Sequence, residues 1–141
     1  MKFIVFAKAS AASEAGVMPS EQLIADMGRF NEELAMAGVL LAADGMHPSS
    51  KGARILYDGD KRTVVDGPFT ETRELVAGYW IIEVGSLQEA IEWMKKAPSP
   101  QEGTVGEVEI RQIFGEEDFG EAMTRQLREQ EDRVRAHLAA R

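Results

Sequence analysis

Histidine is the side chain whose unperturbed pKa lies near neutrality, so a positioned imidazole can exchange protons where a carboxylate alone could not. His47 sits in Asp44-Gly45-Met46-His47-Pro48, a stretch that reads as a loop; the other histidine, His137, falls in a polar terminal segment and is given no role. Asp66 opens Asp66-Gly67-Pro68-Phe69, the most distinctive short string in the chain. As a plain turn, Pro68 presets φ, Gly67 relaxes the backbone and Asp66 hydrogen-bonds nearby amides. As chemistry, an aspartate at a strand end beside a rigid turn is a positioned acid/base or ligand anchor. Glu71 and Arg73 follow closely and could bind a polar ligand, or form a solvated edge with Glu74. Tyr79, Glu83, Glu109 and Arg111 fall by strand alternation on or near one sheet face beside Ile4 and Phe6. A phenol, carboxylates and a guanidinium there would make a pocket for a small polar or aromatic molecule. Equally, Arg111 could pair with Glu109 or Glu83 at a subunit seam.

Other chemistries lose their usual signals. The chain has no cysteine, which removes disulfides, thiolate metal sites and Cys nucleophiles. It shows no H-x-x-x-H, phosphate loop, Rossmann glycine pattern or nucleophile elbow, so neither a metal nor a cofactor is expected. Acid/base chemistry without a cofactor is the simplest remaining possibility. The net charge is −8, and residues 1–120 hold eleven basic against twenty acidic side chains. Such a body repels phosphate backbones, so no nucleic-acid partner is expected. No apolar run approaches a membrane span, and residues 1–9 read as a strand rather than a signal peptide; the expectation is a soluble, cytoplasmic protein without a membrane partner.

The elements that must position these groups follow from periodicity. Lys2–Ala9 is apolar on both faces, with Phe3, Val5 and Ala7 on one and Ile4 and Phe6 on the other, which predicts a central strand. After a small-residue loop, Ser20 caps a helix whose Leu23, Met27, Phe30 and Leu34 form one stripe, and Gly38 stops it. Val39–Ala43 is a second strand. Ala53–Tyr57 and Arg62–Asp66 flank Asp58-Gly59-Asp60 as a hairpin. Ala77–Val84 is the strongest strand, Ser86-Leu87-Gln88-Glu89 is a capping box for a helix ended by Pro98, and Val105–Phe114 alternates again. The order predicts an α+β, ferredoxin-like subunit with an inserted hairpin. Both helices cover one sheet face, which leaves Ile4, Phe6, Tyr79 and Ile81 on the other, too apolar for water; two such sheets are expected to pack as a homodimer. Residues 1–120 form the domain, and residues 121–141 add a C-terminal helix with a thin stripe, lying across the body or the partner subunit.

Several strings carry a resemblance. They are Pro19-Ser20-Glu21-Gln22-Leu23, Ala37-Gly38-Val39-Leu40-Leu41, Gly45-Met46-His47-Pro48-Ser49-Ser50, Thr63 through Glu74 with its Asp66-Gly67-Pro68-Phe69 core, Gly78-Tyr79-Trp80, Glu89 through Trp93 and Glu107 through Arg111. In this collinear order, from residue 1 to about Gly120, the chain resembles the bacterial YCII-related proteins of the DGPF-domain branch. The resemblance implies a dimeric α+β barrel of ferredoxin-like subunits. It also implies small enzymes with a His and Asp pair, one relative being linked to dehydrochlorination of a chlorinated hydroquinone. The Asp of that pair aligns with Asp66. The His falls near the start of the first helix, where this sequence has Gln22, and His47 from a different loop could replace it in space. Genes of this branch often neighbour those of extracytoplasmic-function sigma factors, which implies a regulatory link.

Two functions of different class follow. One is a cofactor-free lyase- or isomerase-type enzyme, in which Asp66 or His47 moves a proton on a ligand held by Tyr79 and Arg111. The other is a non-catalytic dimer that senses a metabolite or docks on a sigma factor. Oxygen-dependent oxidation of a quinol is a third possibility, by analogy of fold.

Overall fold

The computed structural model describes residues 1–141 apart from the side chain of Arg73. Six strands and four helices occur in the order β1 (Lys2–Lys8), α1 (Ala11–Glu14), α2 (Glu21–Met36), β2 (Leu40–Gly45), β3 (Ala53–Asp58), β4 (Lys61–Asp66), β5 (Val76–Glu83), α3 (Leu87–Met94), β6 (Val108–Gln112) and α4 (Arg125–Ala139). Four strands form one sheet in the order β2-β5-β1-β6, every neighbour antiparallel. That is the interleaved order of two split βαβ units, so the chain is a mixed α+β fold. β3 and β4 stand apart as a two-stranded hairpin.

Alternation builds the core. Phe3, Val5 and Ala7 of β1 and Trp80 and Ile82 of β5 are buried together with Phe30 and Leu34 of α2 and Ala90 and Met94 of α3. Phe30 meets Trp80 edge to face, ring centroids 6.2 Å apart, and the indole N–H donates to Asn31 Oδ1 at 2.8 Å. The buried polar tip of Trp80 is thereby satisfied. The predicted caps form. Ser20 Oγ accepts from Leu23 N–H and Ser86 Oγ from Glu89 N–H, each at 3.1 Å. The Glu89 carboxylate accepts from the Gly85 amide at 2.8 Å, one residue before the cap itself.

Three segments differ from the reading of the sequence. Asp44 and Gly45, read as loop, extend β2 because they pair with Tyr79 and Gly78 of β5. The small-residue loop after β1 contains α1, started by a capping box in which Ser10 and Ser13 satisfy each other's amides. β6 is shorter than its alternation, beginning at Val108. Before it, the Gln101 side-chain amide donates to the Lys8 and Ala9 carbonyls at 3.0 Å, so a side chain takes the place of the ladder there. The hairpin turn behaves as expected, with Gly59 at φ +57°. Among the described residues, no helix is long and apolar enough to cross a membrane.

Candidate functional site

The site is organised by Ser49, two residues after His47. Its backbone N–H donates to Glu14 Oε2 at 2.9 Å, and its hydroxyl donates to the other oxygen of the same carboxylate. Ser49 Oγ in turn accepts from the Phe69 N–H at 3.0 Å. The next turn of the ladder is closed by the Gly67 N–H, which donates to the Gly52 carbonyl at 3.0 Å. Three segments distant in sequence thus meet at one part-buried node: the end of α1, the His47 loop and the Asp66–Phe69 turn.

Gly67 is required here, though for a reason other than left-handed backbone. Its φ lies outside the positive region, and a Cβ at this position would fall within the van der Waals sphere of the Ser49 carbonyl. Only a residue without a side chain lets the two loops touch. Because Ser49 and Gly52 satisfy the amides of the turn, Asp66 is not needed to hold it. Among the described residues the Asp66 carboxylate makes no hydrogen bond, and neither ring nitrogen of His47 is engaged. Both residues are exposed. A carboxylate and an imidazole are thus carried on two loops joined through Ser49.

Tyr79 lies close to the same end of the sheet. It pairs across the ladder with Asp44, the penultimate residue of β2 before the chain runs into the His47 loop. Its phenol donates to Asp44 Oδ2 at 3.1 Å. That hydrogen bond and the charge of Asp44 push the Tyr79 pKa above its ordinary 10.0, so the phenol stays a protonated donor at neutral pH.

Arg111 is elsewhere. On the open sheet face the ladders define two rows, Glu109–Phe6–Tyr79–Asp44 and Arg111–Ile4–Ile81–Ala42. Arg111 on β6 and Tyr79 on β5 lie in different rows with β1 between them, two strand spacings of about 4.8 Å each. Arg111 and Tyr79 therefore share a face but not a contact. The Arg111 guanidinium lies 3.5 Å from Glu109, which also receives Lys8 at 3.2 Å. Glu71 belongs to the foot of the hairpin: Arg54 stacks 3.8 Å above the Phe69 ring and lies 3.8 Å from the Glu71 carboxylate. The Arg73 side chain is outside the described part of the structure.

The node escaped the sequence. Glu14 and Ser49 are 35 positions apart, each an ordinary polar residue in its own segment, and no local pattern couples them. A cleft of about 400 Å³ lies at the opposite end of the sheet, between Lys2, Glu83, Phe114 and Asp132, remote from His47.

The chain matches the YCII-related domain over residues 1–114. An uncharacterised protein of Rhizobium meliloti (strain 1021) is 27% identical over 93 residues, which cover 66% of this chain and 74% of that protein. A solved structure of 5-chloro-2-hydroxyhydroquinone dehydrochlorinase from Burkholderia phenoliruptrix AC1100, in complex with 2,5-dihydroxybenzoquinone, is similar at 16% identity and a TM-score of 0.44, covering 83% of this chain and 98% of that one. With the whole sheet, its two covering helices and the hairpin inside the matched span, the chain belongs to the YCII-related domain family.

Proposed function

We propose that this protein is a cofactor-free acid/base enzyme of lyase or isomerase type acting on a small polar or aromatic molecule, and that it belongs to the branch marked by the Asp66-Gly67-Pro68-Phe69 string. The observation that carries the reading is the lock between the His47 loop and the Asp66 turn at Ser49. It joins the two loops that carry these proton-transfer groups, and acid/base catalysis needs such groups held in one geometry about a ligand. Tyr79, whose one phenol proton goes to Asp44, keeps acceptor capacity near that end of the sheet and donates to a ligand only by giving up the Asp44 bond.

The working unit in this proposal is a homodimer whose open sheet faces, with Ile4, Phe6 and Ile81, pack together as a barrel in the cytoplasm. A second reading, a dimer that binds a metabolite without turning it over and couples to a sigma factor, is favoured by the net charge of −8, which suits a basic protein partner.

The test begins with a thermal-shift screen of phenolic and carboxylic metabolites. Each stabilising compound is then followed by proton NMR in D2O for exchange of its carbon-bound protons or for its consumption. An enzyme exchanges or consumes at least one compound, and His47→Ala or Asp66→Asn slows this by on the order of a hundredfold or more while the thermal shift persists. Stabilisation without exchange or turnover selects the binding dimer. Turnover unchanged in both variants removes the His47–Asp66 site.

A further inference from the structure

Core packing does not account for α1. It spans only Ala11–Glu14 and buries none of its side chains, and a helix that short is not stable by propensity. What holds it is the Ser10–Ser13 capping box, directly after Ala9, whose N–H is fixed to the Leu75 carbonyl at 2.9 Å. What it delivers is Glu14. Both oxygens of that carboxylate are taken by one residue, Ser49, through its N–H and its hydroxyl. A serine has a single hydroxyl proton, so with that proton on Glu14 the oxygen is left to accept, and it accepts from the Phe69 N–H. The Ser49 carbonyl accepts from Gly52 and lies against Gly67. Glu14 thereby orients the hydroxyl on which the turn beginning at Asp66 hangs.

The same relay occurs a second time. Glu102 accepts from the Ser20 N–H at 2.9 Å and from its hydroxyl at 2.8 Å, and Ser20 Oγ accepts from the Leu23 N–H at 3.1 Å. There the serine caps α2 and its relay ends within one helical turn, so its work is structural. At Ser49 the accepted amide lies 20 positions away, and the two segments brought together carry His47 and Asp66. The chemistry of the two relays is identical, and what they tie together is not.

We infer that Glu14 is a positioning residue for the His47–Asp66 site: it acts through Ser49, holding the His47 loop on the Asp66 turn. The inference rests on the acid/base reading above and adds to it the residue that maintains the geometry.

The test compares Glu14→Ala and Ser49→Ala with Glu102→Ala, which cuts the matched relay at α2; none of the three side chains belongs to the buried core. Amide exchange, read by NMR without any ligand, comes first. Glu14→Ala speeds exchange of the Phe69 amide by about tenfold and moves the His47 ring resonances at fixed pH, whereas Glu102→Ala changes neither. Glu14→Gln, which keeps an acceptor for the Ser49 N–H, falls between the native chain and Glu14→Ala. A Phe69 amide equally protected in Glu14→Ala, or His47 resonances that stay in place, overturns the inference. Turnover of a compound that the screen above shows to be exchanged or consumed comes second. Glu14→Ala lowers kcat by about tenfold or more with KM changed less than about threefold. Ser49→Ala does the same, and the double variant is no slower than either, because both cut one chain of bonds. Undiminished kcat in Glu14→Ala, an equal loss in Glu102→Ala, or losses that multiply in the double variant overturn the positioning role and leave the acid/base reading standing. A native chain that turns over no compound overturns that reading and this role together, even where the exchange result shows the lock intact.

Discussion

The four-stranded sheet and the hairpin are made of similar residues and differ completely in fate. In β1 and β5 every second side chain is buried against α2 and α3, with Val5, Leu34 and Ile82 fully inaccessible. In β3 and β4 an equally apolar set, Ile55, Leu56, Val64 and Val65, stays 39–64% exposed. Strand-forming chemistry is common to both; what separates them is whether a helix returns over the face. The α2 and α3 crossovers bring one back to the sheet, and the tight turn at Gly59 brings back only another strand.

The largest test of this contrast is truncation. Leu34→Ala removes a fully buried side chain at the centre of the core and is expected to cost about 3–5 kcal/mol. Val64→Ala, on the hairpin, should change the stability of the chain by less than about 0.5 kcal/mol. Urea unfolding at low protein concentration measures both. Comparable losses would mean that the hairpin is part of the same cooperative core.

Next in size is a comparison of two glycines, one at each end of the hairpin. Gly67→Ala drives a methyl into the carbonyl of Ser49, a residue anchored by the bonds its N–H and hydroxyl donate to Glu14, and overpacking of this kind costs about 1–3 kcal/mol or more. Gly59→Ala meets open space and bears only the left-handed penalty, about 1 kcal/mol. Loss of protection at the Phe69 amide should accompany the first variant alone. Asp66→Asn, beside Gly67, should move the melting transition by less than about 0.5 kcal/mol, since the carboxylate has no bond to lose. A larger loss would make Asp66 a structural turn residue and remove it from the chemistry.

These contrasts also mark what could be read from the sequence. The central position of β1, the caps at Ser20 and Ser86, the hairpin turn at Gly59 and the shared face of Tyr79 and Arg111 are local or period-two properties, so pattern alone carries them. Strand order is not periodic, and so the distance between Arg111 on β6 and Tyr79 beside β2 could not be read from it. The need for Gly67 was legible but its cause was not: the crowding carbonyl belongs to Ser49, in another loop. Glu14 is invisible for the same reason, because its partner is set by tertiary contact.

The smallest expected effect lies on the body, at the β1–β6 ladder. Lys8, and behind it Arg111, hold the Glu109 carboxyl below its ordinary pKa of 4.5. A depressed folded value means that, below about 4.5, the unfolded chain takes up a proton before the folded one does. The stabilisation is therefore fully present above that pH and is lost as pH falls through the folded value. Lys8→Met removes the chief cause, so its urea midpoint should fall less steeply than that of the native chain over roughly pH 6 to 3. Since the pair is partly exposed, the difference should shrink further in high salt. Val64→Ala on the hairpin should leave this acid slope unaltered, because the Lys8–Glu109 pair bridges two strands of the sheet. Parallel curves for Lys8→Met and the native chain would show that the ion pair does not depress Glu109. A slope altered by the hairpin variant would instead show that the two regions unfold as one.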